Sequence, residues 1–366
     1  MSDWYNIENI DQLDTPALVI YPDRIKENIR ILKTFVPEVH RLRPHIKTNK
    51  CAEVCKMIMD EGIYKFKCAT IAEAEMLALI GALDVLLAYQ PVGPKALRLI
   101  ELIQKFPNTH FGCLVDNFNS SSYLAAQAEK KGLKISVYID VNVGMHRTGI
   151  LPENAIELFA RCHSLNGIDI KGLHAYDGHL RDTDLELRRA KCDEGFRKAE
   201  AAKNQIDNQF GKSLIMIAGG TPSFPIHAQR QHVECSPGTF IFWDKGYQQL
   251  LPEQHFIFAA LVVTRVISKP TEDTITVDLG HKAIAAENPL SNRVYFLNAE
   301  TVEPIGQSEE HLVLKTSHAF QVGDVFYGVP HHICPTVALH ETMSVVENHR
   351  VIASWNVVSR KRKISV

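Results

Sequence analysis

The sequence predicts an α/β fold: a (β/α)8 TIM barrel followed by a C-terminal all-β domain. Two observations carry this reading. From about residue 40 to 240, eight short apolar runs alternate with longer amphipathic stretches. After about residue 250, β-branched runs follow one another with few helical patterns between them. Strands that read as continuous apolar runs between helical segments imply a parallel sheet covered by helices. Eight such units suggest closure into a barrel, with a doubly wound open sheet as the alternative.

The eight runs are RLRPHIKT (41–48), KFKCATI (65–71), DVLLAY (84–89), HFGCLVD (110–116), KISVYIDVN (134–142), IKGLHAYDG (170–178), LIMIAGG (214–220) and VECSPG (233–238). Between them, stretches such as Ala72 to Ile80 and Asn154 to Leu165 place apolar residues at helical spacing. The later runs AALVVTRVIS, TITVDLG, HLVLKTS, DVFYGV and RVIASWNVV read as a separate β domain. The early run PALVIYP (16–22) is also strand-like and can join that domain. The expected barrel therefore spans 20–250, and the β domain takes 1–19 plus 251–366.

A chain of 366 residues suits two domains. Its 45% hydrophobic and 22% charged residues are ordinary for a globular protein. The net charge of −2 and the lack of a basic stripe argue against a nucleic-acid partner. Arg360 to Lys363 form a short basic cluster that reads as a solvated strand end. The opening MSDWYNIENIDQLD is acidic and polar, unlike a secretory signal. No apolar run is long enough to predict a membrane span. Eight scattered cysteines read as reduced thiols of a cytoplasmic protein. Cys51 and Cys55, four apart on an expected helix, could hold a metal as a pair, but reduced thiols are the leading reading.

Barrels carry their active sites at the C-terminal strand ends. Strand one ends in His45-Ile46-Lys47-Thr48-Asn49-Lys50. Lys47 can reach the mouth and form an imine with an aldehyde, whereas Lys50 lies beyond the strand. Two glycines, Gly144 and Gly149, bracket Arg147 after strand five. They suggest a turn presenting a guanidinium to a phenolate or phosphate oxygen. Strand six offers His174, Tyr176 and His179. Strand seven ends in Gly219-Gly220-Thr221, and strand eight in Ser236-Pro237-Gly238-Thr239. Barrels frequently bind phosphate at these two neighbouring ends, where glycine permits close backbone approach. In the β domain, His332 and Cys334 stand two apart. In an extended segment they would point to the same side, and imidazole with thiolate suits Zn²⁺. Two ligands do not fill a coordination sphere, and an ordinary loop is the alternative.

The motifs LDTPALVIY, RPHIKTNK, ATIAEAEML, VNVGMHRTG, GLHAYDGH, AGGTPS, SPGTFIFWD, DLGHKA and HHICPT add up, in order and spacing, to a recognisable set. Over nearly the whole chain they resemble the family of D-threonine aldolases and D-serine dehydratases, which shares its fold with alanine racemase. The resemblance implies a pyridoxal 5′-phosphate (PLP) enzyme, usually a homodimer in which one subunit's barrel mouth faces the other's β domain. By resemblance Lys47 is the Schiff-base lysine and Arg147 contacts the cofactor's 3′-oxygen. Gly220, Thr221, Gly238 and Thr239 bind its phosphate, and Tyr176 stacks on its ring. His332 and Cys334 fall on the family's metal pair, for Zn, Mn or Mg, and His179 is a nearby acid/base.

There are departures. Where alanine racemases carry an arginine facing the pyridine nitrogen, this chain has Ser236. Their second catalytic tyrosine has no counterpart in VDLGHKAIAAE. Both argue against racemisation, which ranks third. The leading expectation is a lyase of D-threonine aldolase type, splitting a D-3-hydroxy amino acid into glycine and an aldehyde. The runner-up is a D-serine dehydratase, to which a His-x-Cys pair is closer than the His-x-Asp often found in aldolases. Non-catalytic PLP proteins that resemble this barrel lack the β domain and its metal pair.

Overall fold

The computed structural model describes residues 3–366. It separates into two compact units. One comprises 32–47, 55–238 and 361–366, and the other comprises the stretch up to Ile31, 48–54 and 239–360. Strand β1 (Ala17–Ile20) belongs to the latter.

In the first unit seven parallel strands pair in sequence order. They are β2 (Lys65–Cys68), β3 (Asp84–Leu87), β4 (His110–Val115), β5 (Ile135–Val141), β6 (Ile168–Ala175), β7 (Ile215–Ala218) and β8 (Val233–Cys235). Helices follow β2 through β7, the longest being Leu185–Phe210 after β6. Every residue of β5 is buried, as a parallel strand covered on both faces requires.

The run at 41–48 is not a regular strand, yet it closes the ring. Leu42 bridges Cys235 of β8 and His45 bridges Lys67 of β2, both in parallel sense. Arg43 N–H donates to the Cys235 carbonyl and His45 N–H to the Pro237 carbonyl, both at 2.9 Å. On the other side, Ile46 N–H donates to Lys67 and the Pro44 carbonyl accepts from Lys67 N–H, again at 2.9 Å. Pro44 has no N–H and interrupts a regular ladder, so this staved segment escapes strand geometry while filling the eighth place.

A buried ionic layer sits under the closure. Arg43, 1% exposed, reaches Glu234 through Nε at 2.7 Å and Asp84 through Nη1 at 2.5 Å. Lys65 Nζ adds a contact of 2.5 Å to Glu234. Burial works against the Asp84 carboxylate, but hydrogen bonds from His110 and Arg43 hold it well below the usual range. The residues at 361–366 fold onto the same unit. Arg98 donates to the Val366 carbonyl at 2.7 Å, and Glu75 accepts from Ser365 N–H at 3.1 Å. Lys361, Arg362 and Lys363 themselves are exposed.

The second unit is built on a sheet of β9 (Ala260–Thr271), β10 (Thr274–Val277), β11 (Val294–Phe296), β12 (Glu303–Gln307), β13 (Leu312–Lys315), β14 (Val325–Pro330), β15 (Thr342–Glu347) and β16 (Arg350–Asn356), with β1 inserted among them. The order is β12-β13-β10-β9-β1-β15-β16, and β14 joins β9 to β11. Strand β1 runs antiparallel to β9 and parallel to β15. A short helix, Ile333–Leu339, follows β14. No helix of the described residues is long and apolar enough to cross a membrane. The expected barrel with a mostly-β C-terminal domain is what the chain forms.

Removing one partner from the ionic layer leaves a buried guanidinium under-compensated. Glu234→Ala is expected to lower stability by about 3 kcal/mol, read as a fall in the urea midpoint. An unchanged midpoint would mean that the layer carries no weight in the fold.

Candidate active site

Lys47 stands half-buried at the end of the closing segment. Its Nζ lies 5.9 Å from the centroid of the Tyr176 ring, just past the end of β6. Arg147 Cζ lies 5.1 Å from the same centroid and Lys67 Nζ 5.2 Å. Three cations from three strand ends thus gather around one aromatic ring, which attracts positive charge to its face. Lys47 and Arg147, from separate strand ends, are thus brought to the Tyr176 ring. Lys67 was missed. Its signal was the alternation in KFKC, which puts Lys65 and Lys67 on the same side of β2.

Lys67 is wholly buried, and its Nζ has no hydrogen-bond partner among the described residues. Burial, reinforced by Lys47 and Arg43, pulls its amine down to about 7 against the attraction of Asp140 and Asp177. Beside it, His174 Nδ1 meets Asp140 Oδ1 at 2.7 Å, while its Nε2 is buried without a partner among the described residues. Burial and then Lys67 push the His174 imidazole below its ordinary value, so the ring is neutral. Gln90 donates to Asp140 at 2.8 Å and to Asp116 at 2.9 Å, completing the acceptor side.

The Arg147 turn is built by its own chain. Asn142 Oδ1 accepts from Gly144 N–H at 3.0 Å and from His146 N–H at 3.1 Å. Ile150 N–H then returns to the Asp140 carbonyl at 2.9 Å. Gly149, at φ +95°, lies so close to the preceding strand that a Cβ would sit 2.8 Å from the Asn142 nitrogen. Only glycine meets both demands. Arg147 is left exposed at the tip.

The glycine-rich ends of β7 and β8 lie together. Gly238 N–H donates to Thr221 Oγ1 at 3.2 Å. A Cβ on Gly220 would lie 2.8 Å from Tyr176 Cε2, so the backbone there lies against the ring. Gly220 N–H donates to Ser223 Oγ at 3.3 Å, and Ser223 donates to Asp177 at 2.5 Å. Ser236 is buried, and its Oγ has no hydrogen-bond partner among the described residues.

Asp177, Cys192 and His227 form a buried triangle that sequence reasoning did not single out. Its ligand-like atoms are close: His227 Nε2 is 2.8 Å from Asp177 Oδ2 and 3.3 Å from Cys192 Sγ. Arg230 can only donate, so His227 Nδ1, 2.5 Å from it, accepts. The neutral ring then carries its proton on Nε2 and donates to Asp177. Burial and Asp177 push the Cys192 thiol up to about 12. Together with Ser223 and Arg230, which bond to Asp177 and His227, the triangle ties the end of β6 to the helix that follows β7.

His179 is exposed. Its ring packs over Gly144, where a Cβ would lie 3.0 Å from Nε2, and lines a cleft of roughly 500 Å³ with His146, Asp182 and Lys191. It is not among the groups gathered on Tyr176. In the second unit, His332 and Cys334 do meet, but the expected extended segment is corrected. His332 is an extended N-cap, whereas Cys334 lies in the first turn of Ile333–Leu339. Asp244 fixes this bend by accepting from Ile333 N–H at 3.1 Å. Burial disfavours charge on His332, yet hydrogen bonds to Cys334 and Glu287 push it up to about 9. Glu287 pairs with its Nδ1. Cys334 Sγ is 3.1 Å from Thr48 Oγ1 and 3.8 Å from that of buried Thr239.

A barrel whose mouth gathers an exposed arginine, a tyrosine ring and a half-buried lysine, next to paired glycine-rich ends, defines a class of enzyme-like barrels. Residues 20–245 match the family described as alanine racemase, N-terminal domain, and 259–346 match a putative serine dehydratase domain. The chain belongs to the alanine racemase N-terminal domain family. It is 26% identical to the D-threonine aldolase of an Arthrobacter species, over 95% of this chain and 93% of that one. It is 25% identical to the 3-hydroxy-D-aspartate aldolase of Paracoccus denitrificans, over 95% and 92% of the two chains. The crystal structure of D-threonine aldolase from Filomicrobium marinum aligns at a TM-score of 0.88 and 26% identity, covering 98% of this chain and 99% of that one.

The buried amine of Lys67 gives a signed pH dependence. Its folded value of about 7 lies below the ordinary 10.5, so the unfolded chain binds the proton first as pH falls. Its contribution favours folding above pH 10.5 and is lost on the way down to about 7. Lys67→Met is therefore expected to be more stable than wild type at pH 7, with the difference shrinking toward pH 10.5 in urea titrations. A less stable Met variant at every pH would contradict this reading.

Proposed function

We propose that the protein is a PLP- and divalent-metal-dependent lyase of D-threonine aldolase type, which cleaves a D-3-hydroxy amino acid to glycine and an aldehyde. The observation that carries the reading is the meeting of Lys47 and Arg147 on the Tyr176 ring, next to the joined glycine-rich ends of β7 and β8. The aldolases similar over nearly the full chain support it.

The residues fit the cofactor. Lys47 offers the amine that takes an aldehyde, and Arg147 a guanidinium for a ring oxygen. Gly220, Thr221, Gly238 and Thr239 offer backbone N–H groups and hydroxyls for a phosphate. The unpartnered Ser236 hydroxyl suits the pyridine nitrogen. Bound PLP supplies an electron sink for the pair left on the substrate's Cα. His332 and Cys334, a nitrogen and a sulfur donor side by side, fit a divalent ion such as Zn, which would supply Lewis acidity toward the substrate's β-hydroxyl.

The chain's own groups then divide the proton work. Lys47 Nζ would return a proton to Cα after the Cα–Cβ bond breaks, and His179, exposed outside the group gathered on Tyr176, is the proposed acceptor of the β-hydroxyl proton. Tyr176 holds the flat face against which these events occur. A second reading, dehydration of D-serine, is favoured by the serine dehydratase match that contains His332 and Cys334. There Lys47 removes the Cα proton and the hydroxyl leaves, giving a keto acid and ammonia. We further assign the enzyme to the cytoplasm as a homodimer.

D-threonine is expected to yield glycine and acetaldehyde with the purified enzyme. Chelation should abolish turnover while leaving the visible absorption of the protein in place, because different residues hold the two groups. Pyruvate from D-serine, with no glycine from D-threonine, would replace the aldolase reading by the dehydratase one. Full turnover after chelation would return His332 and Cys334 to a structural role.

A further inference from the structure

Lys67 is buried at the barrel mouth with no hydrogen-bond partner for its Nζ among the described residues. An ammonium without hydrogen bonds in a dry interior is costly, and such groups are ordinarily paired. One layer below, Arg43 and Lys65 are fully matched by Asp84 and Glu234. Lys67 instead points with Lys47 and Arg147 toward the Tyr176 ring, and no acceptor among the described residues meets its Nζ. The mouth therefore holds more positive charge than its own carboxylates neutralise, with Asp140 already engaged by His174 and Gln90.

We infer that Lys67 is a second cationic contact for the ring oxygen of the bound pyridine cofactor, acting with Arg147; this rests on the function proposed above. Chemistry selects that oxygen over the phosphate. In pyridoxal the ring oxygen sits on the carbon next to the one bearing the aldehyde, and the phosphate arm lies on the other side. The aldehyde goes to Lys47. Lys67 hydrogen-bonds through its backbone to the segment that carries Lys47, accepting from Ile46 N–H at 2.9 Å. The candidate phosphate groups stand on β7 and β8, across that segment from β2. A cation adjoining Lys47 on the β2 side is placed for the oxygen. The arriving anion supplies the partner that Lys67 Nζ does not find among the described residues, and so the cost of burying Lys67 is offset on binding.

The test uses 4-deoxypyridoxine 5′-phosphate, which keeps ring oxygen and phosphate but has no aldehyde for Lys47. Its affinity for the cofactor-stripped protein is measured by calorimetry in wild type and Lys67→Met, with inorganic phosphate as the companion ligand. The expected result is a loss of about tenfold or more for the pyridine ligand, as for a charge-assisted hydrogen bond, and no loss for phosphate. Thermal unfolding of the stripped variant, at or above wild type, shows that the loss is not one of folding. Equal pyridine affinity in both proteins overturns the inference and leaves the proposed function standing. An equal loss for inorganic phosphate overturns it too, by moving Lys67 to the phosphate. If wild type binds neither the analogue nor PLP, the proposed function fails and the inference with it.

Discussion

Everything at the barrel mouth depends on how the ring of strands is closed. The segment from Leu42 to Ile46 hydrogen-bonds to β8 on one side and β2 on the other, although Pro44 denies it a regular ladder. That closure sets Lys47 at the C-terminal edge of the ring, where a barrel exposes its chemistry. It also buries Arg43 where Asp84 and Glu234 can hold it. Without the closing segment, β2 and β8 would be open edges, and Lys47 would have no fixed relation to Tyr176.

Charge is arranged in two layers at that closure. The lower layer is saturated, with each cation facing a carboxylate. The upper one is open: Lys67 Nζ, His174 Nε2 and Ser236 Oγ are all buried without partners among the described residues. Such groups are few in folded proteins, and two of them, Lys67 and His174, are close enough for the lysine's charge to act on the imidazole. The triangle of Asp177, Cys192 and His227 lies beside this layer and differs from it in kind. Its polar atoms are engaged by one another and by Ser223 and Arg230, and Ser223 links it to the Gly220 backbone.

The barrel was legible because parallel strands buried on both faces leave continuous apolar runs, and all eight runs found their places in the ring. Lys47, Arg147 and Tyr176 were legible because strand ends and glycine-bracketed turns leave local signals. Lys67 was not, since a lysine in a short strand reads as exposed until the barrel turns its face inward. His332 and Cys334 meet for a reason other than alternation: the backbone bends into a helix between them, held by Asp244, which is distant in sequence. Nothing local announces Asp177, Cys192 and His227 either, because three separate elements deliver them. Nor could residue spacing show that 361–366 return to the barrel unit, where Glu75 and Arg98 hold them.

The proposed function rests on Lys47 as the amine that takes the cofactor's aldehyde. Borohydride reduction of the enzyme with its bound cofactor, followed by peptide mapping, tests it. A stable pyridoxyl label on Lys47 alone is the expected result. A label on Lys67, on Lys50, or on no lysine at all would contradict it.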